Sequence, residues 1–248
     1  MAGDLHDVVR LGVLRFEGVS VRVTADDRGP EAAADDHAMA DDGATADDSA
    51  TADDRGPEAA SPARADSGAP ATSELAVGAA AEARVALVRA MYRRFGIDPT
   101  RTRPSSEALW RRIRRGLPWP RINTLVDACN TCSLVTQLPF GLYDLDRVTG
   151  PIVLRRGGDG DEYAGIGKPV VHVGGRPALY DAAGPFGNPT SDSARTMITP
   201  DAARALLVVY APRPVPVADL EGVLSLSAAR VLEAAGGTET GRWIIPSG

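Results

Sequence analysis

The chain is poor in the residue types that most directly announce chemistry. Among its 248 residues are two cysteines, three histidines and a single lysine, Lys168. Two cysteines exclude a disulfide framework, and His6, His37 and His172 do not share metal-ligand spacing. Cys129 and Cys132 fall in the middle of an expected helix. Redox pairs sit at a helix N-terminus, where the thiolate is stabilised, so this pair reads as core. Neither a metal nor a cofactor is expected. Aromatics make up only 5% of the chain, although 44% hydrophobic residues is ordinary for a globular core. No run approaches the roughly 18 consecutive apolar residues of a membrane-spanning helix. The N-terminus also lacks the basic stretch and apolar run of a signal peptide. A cytoplasmic protein without a membrane partner is the expectation.

What is abundant is charge, and it is segregated. Residues 25–73 hold 13 acidic and 3 basic side chains and little that could be buried. TADDRGPEAA occurs at 24–33 and again, unchanged, at 51–60. An acidic, apolar-poor repeat cannot offset its ordering entropy by burial, so 25–73 reads as a disordered low-complexity insertion. It interrupts one domain formed by 1–24 and 74–248. Within that domain, residues 84–121 carry eleven arginines against Asp98 and Glu107. Such a cluster suits a phosphate-rich polymer, with Arg103, Arg111, Arg112, Arg114 and Arg115 as the RNA-binding candidates. A solvated helix face is the competing reading.

Periodicity sketches the elements. Val19, Val21 and Val23 alternate with polar residues in 8–23, which suggests one or two strands. Residues 74–95 have helical spacing, and Ser105 is a suitable N-cap for a helix over 106–115. A helix over about 122–134 follows a stiff GLPWP turn, then short strands at 151–156, 169–174 and 176–181. GGDGDEYAGIG (157–167) reads as a turn: it lies between strands and lacks the Lys-Ser/Thr of a phosphate loop. Residues 181–196 are too rich in Gly, Pro and hydroxyls to be regular. Thr199-Pro200-Asp201 resembles a helix start. ALLVVYAP (205–212) is a buried strand, 217–235 a helix ended by Gly236-Gly237, and 242–246 an edge strand. Helices and strands mixed without a regular βαβ rhythm define an α+β fold, a mixed sheet with flanking helices.

The run from Ile122 to Arg156, INTLVDACNTCSLVTQLPFGLYDLDRVTGPIVLRR, is the most informative segment. Its helix sets Asn123, Asp127 and Asn130 along one stripe, suited to hold a polar ligand or neighbouring backbone. Asp127-x-x-Asn130, Pro139, the Tyr143-Asp144 pair and the strand Ile152 to Arg155 occur in the order seen in the B3/B4 domain. The chain therefore resembles that tRNA-binding and editing module of the phenylalanyl-tRNA synthetase beta subunit over roughly 84–200. RTRPSSEALWRRI and GPFGNPTSDS look more like its free-standing members. Gly141 stands where the synthetase pattern has a histidine. No class II ATP-binding motif is visible, so aminoacylation is not expected.

The resemblance implies tRNA as partner and an aminoacyl moiety or free amino acid as ligand. Hydrolysis of an aminoacyl ester needs a positioned water and donors for the oxyanion. The hydroxyls, amides and carboxylate of 186–196 supply such groups, making Asn188, Thr190, Ser191, Asp192 and Ser193 the catalytic candidates. Asn123, Asp127, Asn130, Phe186, Gly187 and Thr196 are the substrate-binding candidates. The implied function is trans-editing of misacylated tRNA, with a non-catalytic RNA- or amino-acid-binding module as the alternative. The oligomeric state is left open.

Overall fold

The computed structural model describes residues 3–24 and 79–245. The acidic insertion at 25–73 and residues 74–78 lie outside the described residues. Four α-helices are present: α1 (Ala79–Arg94), α2 (Ser105–Arg114), α3 (Thr124–Thr136) and α4 (Val217–Ala235). They accompany three sheets, and the fold is α+β.

The main sheet is antiparallel throughout, in the order β10 (Thr238–Ile245), β1 (Val9–Glu17), β9 (Arg204–Pro212), β2 (Phe140–Asp144). Strand β9 is covered on both faces, which is why its sequence is a continuous apolar run rather than an alternation. Leu207, Val209, Tyr210 and Ala211 are fully buried in it. Helices α3 and α4 pack against each other, with α3 also against β2 and α4 against β1 and β10; α1 approaches β9. Burial of these faces forms one main core from Leu5 to Ala235. A second sheet runs β3 (Val153–Arg156), β6 (Pro177–Asp181), β7 (Gly184–Asn188), β8 (Ser191–Asp192). A separate hairpin pairs β4 (Glu162–Gly165) with β5 (Lys168–His172).

Several expectations are corrected. Helix α2 begins at Ser105 itself, with Pro104 at the cap position and no side-chain cap bond. Helix α3 begins at Thr124, because Asn123 is extended and its Oδ1 accepts the N–H groups of Leu125 and Val126 at 3.2 and 2.9 Å. Asn123 is therefore the N-cap and not a member of a helical stripe. No helix follows Thr199-Pro200: a single turn, Ala202 N–H to Thr199 C=O, leads straight into β9. Val19 and Val21 are buried but lie outside any strand, and Val23 makes only an isolated bridge to Asn123. The glycine-rich stretch 157–167 contains β4.

The largest correction concerns 181–196. Instead of an irregular loop, it contains β7, β8 and a 3-10 turn, Ala194–Thr196. Its polar residues make it regular. Asp181 accepts N–H groups from Thr149 and Ala183 and a two-pronged bond from Arg195, both prongs at 2.9 Å. Asn188 Oδ1 accepts from Thr190 N–H, Thr190 Oγ1 and Ser191 N–H, closing the β7–β8 turn.

Candidate functional site

A cavity of about 700 Å³ opens between α2, α3, β2 and the β7–β8 turn. Its walls are largely apolar: Leu109, Phe140, Leu142, Ile166 and Ile198 all line it. Arg103, Arg111, Arg112 and Arg115 line the α2 side. Asn130 and Ser133 come from α3, and Asn188, Thr190, Ser191 and Asp192 from the β7–β8 turn. The Arg-rich helix, the signature helix and the hydroxyl-rich turn, far apart in sequence, thus meet around one space.

The turn is held rigidly from outside the cavity. Tyr92 of α1 donates its hydroxyl to Pro189 C=O at 2.7 Å, and Tyr163 of β4 donates to Ser191 C=O. Ile166 N–H reaches Asp192 C=O at 3.2 Å, and Gly165 bridges Ser193. The glycine-rich 157–167 stretch therefore buttresses the site and supplies Ile166 to its wall. Sequence periodicity carries no signal for this, because the pairing is between distant segments.

Other candidate residues are placed elsewhere. Asp127 does not line the cavity: its carboxylate accepts from Thr24 Oγ1 and Ile122 N–H and pairs with Arg121 at 3.3 Å. With Asn123 as helix cap, only Asn130 of the expected stripe lines the cavity. Phe186 is fully buried, edge-on to Tyr143 with ring centroids 5.0 Å apart. Ser193 Oγ accepts Arg195 N–H at 3.0 Å, and Thr196 is buried. Gly187 and Gly141 flank Tyr143: a Cβ at either would come within 2.3 and 2.2 Å of its hydroxyl. Tyr143 as placed here leaves no room for a side chain at 141 or 187. Arg114 is exposed and does not line the cavity.

Glu107, the acidic residue of α2, is occupied by a two-pronged bond from Arg89 at 2.9 and 2.6 Å and by Arg103 at 3.6 Å. Arg112 Nε donates to Pro118 C=O. Arg111 and Arg115 are exposed and form no ion pair within the described residues, so the α2 side of the cavity keeps positive charge for a ligand. Cys129 lines the cavity and Cys132 is buried; burial pushes both thiols up, leaving them neutral. His172 is exposed and paired with Glu162 at 3.0 Å, on the β4–β5 hairpin.

Asp192 is the exceptional group. It lines the cavity, its Oδ1 is closed to solvent without a hydrogen-bond partner, its Oδ2 accepts a long bond, 3.4 Å, from Leu142 N–H, and the Tyr143 hydroxyl is placed to donate to the carboxyl. Burial pushes this carboxyl up to about 7, and the nearby Tyr143 hydroxyl and the Leu142 amide offset that only in part.

Fold and site define an α+β domain in which two helices, a strand and a hairpin turn enclose a polar-ended cavity. The B3/4 domain family matches residues 87–229, more than half of the chain, and the chain belongs to that family. It is also similar to an N-terminal fragment of the phenylalanyl-tRNA synthetase beta subunit from Pyrococcus horikoshii, at 15% identity and a TM-score of 0.40. That likeness covers 49% of this chain and 45% of the other, so the chain spans less than half of that structure. Comparison with curated proteins gives no match. Among the described residues, no helix is long and apolar enough to cross a membrane.

Proposed function

We propose that this B3/4 domain binds tRNA and hydrolyses the ester of a misacylated tRNA, with the aminoacyl end in the α2–α3 cavity. The observation that carries the reading is the polarity of that one space. Arg103, Arg111, Arg112 and Arg115 come from α2 and its flanks, while Asn130, Thr190, Ser191 and Asp192 come from α3 and the β7–β8 turn, with apolar walls between. Phosphates of the acceptor end meet the guanidinium groups, which suit them in charge and geometry. The aminoacyl group enters the cavity. Ser191 Oγ and the Asn130 carboxamide make no hydrogen bond within the described residues, so they are available to hold a water and to donate to a developing oxyanion. Thr190 Oγ1, already donating to Asn188, accepts from that water.

The test is a panel of mischarged tRNAs, with deacylation followed over time. The reading expects at least one to be cleared well above its spontaneous rate, and no acceleration on any of them overturns it. A non-catalytic amino-acid-binding module is favoured by a different observation. The hydroxyls of Ser133, Thr190 and Ser193 bond to Leu138 C=O, Asn188 Oδ1 and Arg195 N–H, and none to a carboxylate, so no activated nucleophile is assembled. Saturable tRNA binding without turnover would select that module.

A further inference from the structure

We propose that the Asp192 end of the cavity is an ammonium site, in which the carboxylate is the counter-ion for a ligand's primary amine. The cavity then selects amine-bearing ligands over neutral or N-acylated ligands of the same shape. The inference rests on the aminoacyl reading only for the identity of the natural ligand.

Asp192 Oδ1 has no partner and is closed to solvent, although the residue lines the cavity. A buried acceptor left unmade costs free energy, and native proteins rarely leave one without a reason. Nothing in the described residues neutralises its charge: no ion pair involves Asp192. The ionisable groups that feel it are Cys129 from α3, Tyr143 from β2, Tyr163 from β4 and Tyr210 from β9. Burial raises all of them, so each is neutral near pH 7. Tyr143 and Tyr210 share a hydrogen bond between their hydroxyls at 3.2 Å. Every other carboxylate tied to the surrounding frame is occupied: Asp127 by Thr24, Ile122 and Arg121; Asp181 by Arg195; Glu107 by Arg89. Asp192 alone among them lines the cavity and lacks a cationic partner among the described residues.

The chemistry that fits is a compact cation with N–H donors. A hydroxyl would satisfy the acceptor but leave the charge unpaired among Leu142, Ile166 and Ile198, whereas an ammonium answers both demands. The other charged side chains on the lining are arginines, which repel an ammonium and so leave the Asp192 end as its place. In an aminoacyl-tRNA the matching group is the free α-amine. The raised carboxyl adds a directional consequence: affinity for a cation increases as pH rises through about 7, where Asp192 ionises.

The probes are 2-phenylethylamine and 2-phenylethanol, which share a shape suited to the apolar walls and differ in charge. Calorimetry near pH 8 on the full chain is expected to show the amine binding at least about tenfold more tightly, the scale of a hydrogen bond to a charged group. The Asp192→Asn variant, which keeps the side-chain shape, is expected to lose that discrimination; the amine–alcohol comparison on the unaltered protein stands without it. Equal affinities, no binding of either compound, or unchanged discrimination in Asp192→Asn would overturn the site. N-acetylated and free aminoacyl-tRNA separate this proposal from the hydrolase reading. Deacylation that ignores acetylation removes the ammonium site alone. Amine binding without any deacylation removes the hydrolase alone.

Discussion

Asp127 and Asp192 are two partly covered carboxylates, one outside the cavity and one lining it, and they have opposite circumstances. Asp127 sits in the first turn of the signature helix, where Thr24, the Ile122 amide and Arg121 all engage it. Burial pushes it up, and those three partners pull it back only in part. Asp192 sits in a two-residue strand, lines the cavity, and has an oxygen with no partner. A carboxylate whose bonds are complete holds a fold together, and one whose bonds are incomplete is available to a ligand. The signature residue is the structural one.

The largest effect expected from this contrast is on stability. Asp127→Ala removes bonds that tie α3 to the segment entering the acidic insertion, and should cost about 3 kcal/mol by chemical denaturation. Asp192→Asn should go the other way, stabilising the ligand-free protein by about 1–2 kcal/mol above pH 7, since it replaces a buried unpaired charge with a neutral group. The sign follows from linkage. A carboxyl raised in the folded state contributes stability that is present below its unfolded value and lost as pH rises through about 7. Wild-type stability should therefore fall between about pH 4 and pH 7 relative to Asp192→Asn. Equal pH profiles for the two proteins would break the comparison. The smallest effect concerns the arginines. Arg111→Ala and Arg115→Ala should each reduce the slope of log affinity for tRNA against log salt by about 0.7–0.9 if each neutralises one phosphate. Arg114→Ala, outside the cavity, should change it less.

Much of the frame can be read along the chain because it depends on local pattern. Continuous burial makes 205–212 apolar throughout, and α4 spans 217–235 up to Gly236 as its periodicity implies. The polar turn at 188–192 is visible because Asn, Thr and Ser gather there, and the α2 arginines because they cluster. What could not be read depends on partners distant in sequence. Thr24 reaches Asp127 across 103 positions and an insertion, so a helical stripe looked like a site when two of its members were a cap and an anchor. Tyr92 and Tyr163 support the turn through its backbone carbonyls, and side-chain type does not disclose that. Regular structure in 181–196 arises from Asp181 satisfying four donors and Asn188 three, where composition suggested only irregularity.

The most direct test of the contrast is a carbon-detected NMR titration of the Asp192 carboxyl, without ligand and with saturating 2-phenylethylamine. A midpoint at about 7 is expected in the free protein, falling when the amine is bound as the ammonium stabilises the carboxylate. A midpoint in the ordinary carboxylate range, unmoved by the amine, would contradict that contrast.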